Sequence, residues 1–388
     1  MALSENRLRQ WQDRRAARLN GLNWLAQETP AGREPAWFVK DELLVLGEHG
    51  RRAERLLGSG AHASELTPGV LRYRADGLDV PSVARAVRRS AKAEGDERVV
   101  AAPNHVFASA PFEHGGPFGP PVPATAPRPL RDNTVVGQVP VAVVDTGIWR
   151  DSPLPEAAYT AFAEDYEVDT DVDNDGVMDG DVGHANFIIG VITHNTGAAR
   201  IRAVRLLDTF GVCTEADLVL ALSRLEADVR LVNLSLGGFT LDNQPPLALA
   251  QALSGLVQRQ ECLIVAAAGN NGQRGIPFWP AAFAGTGQPF AKRVVAVAAH
   301  DGKSVCDWSN SGDWVTLAAP GSDVTSTFVR HDLFPSGWAL WSGTSFATPY
   351  VVASLADRLA KGDTVEAARS AVLTAAKKRT FDGYPGLA

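Results

Sequence analysis

The sequence predicts an α/β protein built on a mostly parallel sheet with helices on both faces, preceded by a small α+β domain. Three observations predict it. After residue 138, short apolar runs ("VPVAVV", "ARIRAVRLL", "VRLVNLS", "CLIVAAA", "RVVAVAA", "WVTLAA") alternate with helical stretches. Near-continuous apolar strands separated by helices belong to a parallel sheet covered on both faces. Ahead of residue 110 a different pattern runs β-α-β-α-β, the order of a split-βαβ unit. Between the two lies "APFEHGGPFGPPVPATAPRPLRDNT", residues 110–134, rich in Pro and Gly and without periodicity, which reads as a linker.

Element by element, residues 1–27 form an amphipathic N-terminal helix, with Leu8, Trp11, Leu19, Leu22 and Leu25 on one face and five arginines on much of the rest. Such a helix packs on a neighbour with its basic face solvated, or meets a membrane surface or a partner. Residues 35–109 follow as the α+β domain. "AWFVKDELLVLG" reads as strand, "RRAERLLG" as helix and "GVLRYRA" as strand; "VPSVARAVRRSAKA" is the second helix and "RVVAAPNHVFAS" the last strand. Residues 135–388 make up the main domain.

Composition narrows the function. With 388 residues, 45% hydrophobic and 21% charged, the chain is ordinary for a soluble globular protein. Its net charge of −7 gives no reason to expect nucleic acid as a partner. The charge is uneven: residues 1–100 hold 17 Lys+Arg and 14 Asp+Glu, leaving 20 and 30 of the chain's 37 and 44. A basic part beside an acidic one favours docking in cis. The three cysteines, Cys213, Cys262 and Cys306, are too scattered for a disulfide framework or a zinc site. The first residues carry no apolar segment of the secretory kind, and no run reaches the ~18 apolar residues of a membrane span. The expected location is cytoplasmic, with non-classical export the alternative.

Four residues carry a candidate chemistry. In "WSGTSFATPYVVASLA" Ser345 stands where an apolar helix begins, in a positive field and beside free N–H groups. Read alone, Thr344 or Ser345 is equally a helix cap. Asp145 ends the strand "VPVAVVD", where it also suits a turn cap, and His184 opens the apolar helix of "GHANFIIGVI". Asn270 follows the buried strand "LIVAAA", in what is otherwise an ordinary Asn-Gly type turn. Acyl transfer by a serine requires a base, a carboxylate that fixes the base's tautomer, and an oxyanion donor. His184, Asp145 and Asn270 supply those roles for Ser345, each at a strand end or helix start where a sheet gathers distant segments.

These residues sit in six blocks: "VAVVDTGI", "GHANFIIGVI", "VNLSLGG", "AAAGNNG", "WSNSGDWVTLAAPG" and "SGTSFATPYVVASLA". In type and order they resemble the subtilases, the subtilisin-like serine peptidases, over residues 138–388. The resemblance implies a subtilisin-like sheet, with Asp145 as orienting acid, His184 as general base and Ser345 as nucleophile. Asn270 becomes the side-chain oxyanion donor, paired with the Ser345 N–H. Ser235, Leu236 and Gly237 become a strand edge for an extended peptide. Gly211 and Cys213 fall on the opposite edge, and Gly269 joins the substrate-binding set. Residues 35–109 resemble the family's ferredoxin-like propeptide, an inhibitor and folding aid, whose tail crosses the groove beside Ser235–Gly237; a permanently attached adaptor domain is the alternative reading.

The implied function is a serine endopeptidase acting on peptide or protein substrates, with no cofactor in the chemistry and its own N-terminal domain as a partner in cis. The alternatives are a dedicated processing peptidase for one partner or precursor peptide, and an inactive peptide-binding pseudo-protease. Two departures from the family pattern are Ala185-Asn186, where Gly-Thr is usual after the His, and Tyr350, outside the inferred chemistry, where His often follows the Ser-helix Pro; in the substrate-binding set, glycine is more usual at the Cys213 position. Ahead of His184, "EDYEVDTDVDNDGVMDGDVGH" holds nine carboxylates and neither Lys nor Arg. Asp171, Asp173, Asp175 and Asp179 fit the first part of a calcium loop, though Val182 stands where the closing Glu belongs. A structural calcium and a solvated acidic loop facing the basic N-terminal part are both open readings.

Overall fold

The computed structural model describes residues 13, 17–30, 32, 34–58, 60–109, 120–125 and 138–387. The long apolar segment at Ala36 makes the backbone of the N-terminal domain. Strand β1 (Leu25–Glu28) leads to β2 (Ala36–Leu46), followed by α1 (Gly50–Leu57), β3 (His62–Thr67), β4 (Val70–Arg74), α2 (Val80–Lys92) and β5 (Ala101–Ala108). The order across the sheet is β5-β2-β4-β3, every pair antiparallel, with β1 on the first half of β2. Helix α2 starts where the Asp79 side chain accepts from Ser82 N–H, with Pro81 in its first turn.

Two sequence expectations are corrected here. The helix expected over residues 1–27 does not reach its end: residues 17–20 are helical, the chain turns at Gly21, and Leu25–Glu28 is a strand. Gly21 N–H closes the last helical turn on the carbonyls of Ala17 and Arg18. The rest of that segment lies largely outside the described residues. Strand β3 is an addition, because "HASELT" is mostly exposed and lacks an apolar face to betray it.

Within the expected linker, Val122–Pro123 forms a short strand, β6. The main domain then runs β7 (Val139–Asp145), β8 (Tyr159–Thr160), α3 (His184–Asn195), β9 (Ala199–Arg205), β10 (Val212–Thr214), α4 (Glu215–Ser223) and β11 (Leu231–Leu234). It continues as α5 (Leu247–Arg259), β12 (Leu263–Ala267), β13 (Val294–His300), β14 (Leu317–Pro320), β15 (Val324–Thr327), β16 (Trp338–Trp341), α6 (Thr344–Leu359) and α7 (Val365–Ala376). Seven parallel strands line up as β14-β13-β12-β11-β7-β9-β8.

Both faces of this sheet are buried, which is why its strands read as continuous apolar runs. Val141, Val143, Val265 and Val297 face one cluster with Phe187, Ile188 and Ile192 of α3 and Val352 and Leu355 of α6. Ala142, Val144, Ile264 and Ala296 face the other, with Leu218 and Leu222 of α4 and Leu253 and Leu256 of α5. The strand order reverses at β7, so a crevice opens at its carboxyl end, where ligands bind in open α/β sheets. Among the described residues, no helix is long and apolar enough to cross a membrane.

The two domains share one sheet and one core. β10 adds to β5 antiparallel, pairing Val212 with Ala108 and Thr214 with Val106. Ala216, Val219, Leu247 and Ala248 of the main domain are buried together with Leu44, Val87 and Ala102. The charged contacts across this face include Arg88 with Asp242 and the buried pair His105–Glu215. Apolar packing, strand pairing and these polar contacts all meet on this face.

Candidate active site

Asp145 sits at the carboxyl end of β7, buried, its carbonyl fixed by the N–H groups of Leu206 and Leu207. Its Oδ1 lies 2.6 Å from His184 Nδ1 and also accepts from Thr146 N–H at 2.8 Å. That bond puts the imidazole proton on Nδ1 and makes Nε2 the basic nitrogen. The ring is packed edge-on to Trp341 at 5.6 Å and tilted against Phe346 at 5.3 Å. His184 opens α3 because Gly183 takes a left-handed turn (φ 80°) just before it. A side chain on Gly183 would also run into Phe328 and Val329.

Ser345 is in the first turn of α6, whose N-cap is Gly343 without a side-chain cap bond, so the serine is not spent as a cap. Its Oγ lies 3.0 Å from the carbonyl of Ser235 and 3.2 Å from that of Ser109. A hydroxyl has one proton and donates to one of them at a time. Phe346, its neighbour, is the residue packed on the His184 ring, so the two segments meet at the mouth of the crevice.

Asn270 is oriented by Thr344. The Thr344 N–H and hydroxyl both donate to its Oδ1, at 2.9 and 2.8 Å. The network thereby assigns the other end of the amide, Nδ2, as the free-facing donor end beside Gly343. Gly269 shapes the turn that carries it: φ is 94°, its N–H donates to Thr344 Oγ1, and a side chain there would strike Asn310 and Phe278.

The groove is occupied by the chain itself. Ala108 and Gly237 exchange two backbone hydrogen bonds (2.8 and 2.9 Å), and Ser109 N–H donates to Gly211 carbonyl at 2.9 Å. Residues 106–109 thus lie as a strand between β10 and Gly237, ending at Ser345. Phe107 is buried among Cys213, Leu236, Phe239 and Phe278, on a floor made by Gly238.

A model of the subtilase family matches residues 137–387. The chain belongs to the subtilase family. It is similar to the thermophilic serine proteinase of Bacillus sp. (strain AK1), with 33% identity over 57% of this chain and 51% of that protein. Thermitase of Thermoactinomyces vulgaris is 31% identical over 63% of this chain and 82% of its own. The chain therefore spans about half the length of the first relative and most of the second. A solved cold-adapted subtilisin-like serine proteinase shares the fold, with a TM-score of 0.50 and 23% identity over 68% of this chain and 92% of its own.

The departures from the usual subtilase pattern have local explanations. Ala185 is fully buried and its N–H donates to Thr146 Oγ1 at 3.0 Å. Asn186 clamps the backbone of Trp149 from both sides, accepting from its N–H and donating to its carbonyl, each at 2.9 Å. Cys213 pairs with Phe107 and packs in the apolar cluster; burial pushes its thiol well above the usual range. Leu236 likewise packs in that cluster, and Gly237 supplies the backbone edge that pairs with Ala108.

The acidic stretch divides its charges among separate tasks. Asp165 pairs with Arg202, and Glu167 with Arg205 while accepting from Gly147 N–H at 2.9 Å, which braces the turn after Asp145. Carboxylate oxygens of Asp171, Asp173 and Asp179 converge within 4.8 Å of one another, a donor set suited to a hard dication. Asp175 is not in that group; its Oδ1 accepts from Val177 N–H within its own turn. Asp181 faces the groove, accepting from Ser109 Oγ at 2.6 Å. Sequence patterning missed Asp181 and the part played by the Ser235 hydroxyl, which depend on contacts between distant segments.

Proposed function

We propose that the protein is a serine endopeptidase and that residues 35–109 are its propeptide, seated in the groove as an inhibitory strand. The observation that carries the reading is the antiparallel placement of residues 106–109 between β10 and Gly237, with the Ser109 carbonyl 3.2 Å from Ser345 Oγ. An extended substrate would take the same place by strand addition. Phe107 marks a position for a large apolar side chain.

In the proposed mechanism Ser345 Oγ attacks the scissile carbonyl carbon as its proton passes to His184 Nε2. A C–O bond forms and the carbonyl electrons move onto oxygen, which accepts hydrogen bonds from Asn270 Nδ2 and the Ser345 N–H. The C–N bond then breaks, His184 gives its proton to the leaving amine, and water repeats the sequence to release the acid. Asp145 holds the imidazole tautomer and stabilises its cation. Asp171, Asp173 and Asp179 would hold a structural calcium that supplies none of these steps.

The built-in seats of Ala185 and Asn186 favour an active enzyme over a pseudo-protease. Fluorophosphonate labelling tests the reading: the wild type, once its N-terminal strand leaves the groove, should carry one adduct, on Ser345. Absence of any adduct after removal of that strand would contradict it.

A further inference from the structure

Ser109 does more than pass its backbone through the groove. Its hydroxyl donates to Asp181 Oδ1 at 2.6 Å, and both side chains are buried, with 6% and 2% of their surface exposed. The niche they share is closed on its third side by Gly211. A side-chain carbon on Gly211 would fall 2.2 Å from Ser109 Oγ and 2.5 Å from Asp181 Oδ2, and the φ of 74° independently disfavours any other residue. The loop that presents Gly211 is fixed by Asp208, whose Oδ1 accepts from the N–H groups of Phe210 and Val212. Asp181 is fixed as well: its N–H donates to Thr209 carbonyl, and its own carbonyl accepts from His184 N–H.

We propose that Asp181 is a specificity-determining residue that selects serine at the substrate position occupied by Ser109. The inference rests on the peptidase reading above. Two physical arguments carry it. A hydrogen bond to a buried charged acceptor is among the stronger ones, and a substrate with alanine there covers the carboxylate without supplying the donor. A longer side chain meets Gly211 backbone on one side and Asp181 on the other, so size is selected together with the hydroxyl. Sites built to bind a hydroxyl reject analogues lacking it far better than apolar pockets reject extra bulk. Together these predict a serine-over-alanine preference of about 10–100-fold in kcat/KM.

The test has two arms. In the first, a proteome-derived peptide library is exposed to the purified wild type and to Asp181→Ala, and the cut ends are read by mass spectrometry. Serine should be enriched at one fixed position among the two residues before the cut, and Asp181→Ala should keep cutting while that enrichment vanishes. No serine enrichment in the wild type, or undiminished enrichment in Asp181→Ala, overturns the proposal. The second arm needs no turnover: hydrogen exchange at the Ala108 and Ser109 amides of the full-length Ser345→Ala chain, alone and with Ser109→Ala, Asp181→Ala or both. Protection should fall at least about tenfold in each, and no further in the combination. Unchanged protection overturns the proposal. A library left uncut, with Ser345 unlabelled, would defeat the peptidase reading instead, and exchange would still decide the role of Asp181.

Discussion

Ser235 and Ser345 hold each other reciprocally: Ser235 Oγ donates to the Ser345 carbonyl at 2.8 Å, and Ser345 Oγ reaches the Ser235 carbonyl at 3.0 Å. The first bond replaces one that the helix does not make. Pro349 sits four residues after Ser345 and has no N–H to offer its carbonyl. Asn233 Nδ2 completes the chain by donating to Ser235 Oγ at 3.0 Å. The candidate nucleophile is thus tethered to the end of β11, the strand that also presents the Gly237 edge.

Removing that tether should loosen Ser345 more than it unfolds the protein. Ser235→Ala is expected to cost about 1–3 kcal/mol of stability, the usual penalty for a buried carbonyl left without its donor. It should also lower kcat. Pro349→Ala restores a helical N–H, so the combined variant should recover part of the lost melting temperature. Denaturation curves of the single and double variants check this; a combined loss equal to the sum of the two would refute the shared-carbonyl account.

Asn270 offers a cleaner separation than most oxyanion residues. Asn270→Asp keeps the Oδ1 that Thr344 grips and removes the Nδ2 donor. Turnover should fall by at least roughly 10²–10³-fold in kcat, the cost of one lost donor plus repulsion of the oxyanion by the new carboxylate, with little change in KM. Steady-state kinetics on a peptide substrate measure it, and a loss confined to KM would assign Asn270 to ground-state binding.

Asn186→Ala removes both clasps on Trp149 and should lower stability by about 1–3 kcal/mol. Asn186→Thr, the residue usual in subtilases, cannot span the Trp149 N–H and carbonyl in the same way. Equal melting temperatures for all three forms would mean the clasps contribute nothing.

Acid and calcium should act in opposition at Asp179. Burial, with Asp173 and Asp171 nearby, pushes its carboxyl up to about 6 from an ordinary value of 3.8. The folded state then binds the proton more tightly than the unfolded chain, so without calcium this group's contribution to stability declines as pH rises from about 4 to about 6. A bound dication reverses that penalty. Calcium should therefore raise the melting temperature more at pH 7 than at pH 5, and Asp179→Asn should blunt the difference. Identical melting with calcium and with chelator at pH 7 would leave the loop a plain acidic one.

Much of the fold was legible because burial on two faces leaves an unbroken apolar imprint. Val141–Val144 and Leu263–Ala267 announce themselves in this way. Strand β3 did not, since only Leu66 of "HASELT" is buried. Nor did β6, which exists only because Ala339 and Leu340 offer it a paired edge. At the site, Asp145, His184, Asn270 and Ser345 are each ambiguous alone and stand out only as a set, four complementary roles placed at strand ends and helix starts. Asp181 lay hidden among nine carboxylates, since its distinction is a contact with Ser109, far away in the chain.

The intact mass of the purified chain, compared between wild type and Ser345→Ala, tests the central claim most directly. The account predicts that wild type separates into two fragments joined near Ser109, within residues 106–133, while Ser345→Ala stays whole. A wild type that remains a single chain under conditions where it hydrolyses added peptides would make residues 35–109 a permanent domain. A Ser345→Ala chain cut at the same place and rate as wild type would contradict the claim that Ser345 does the cutting.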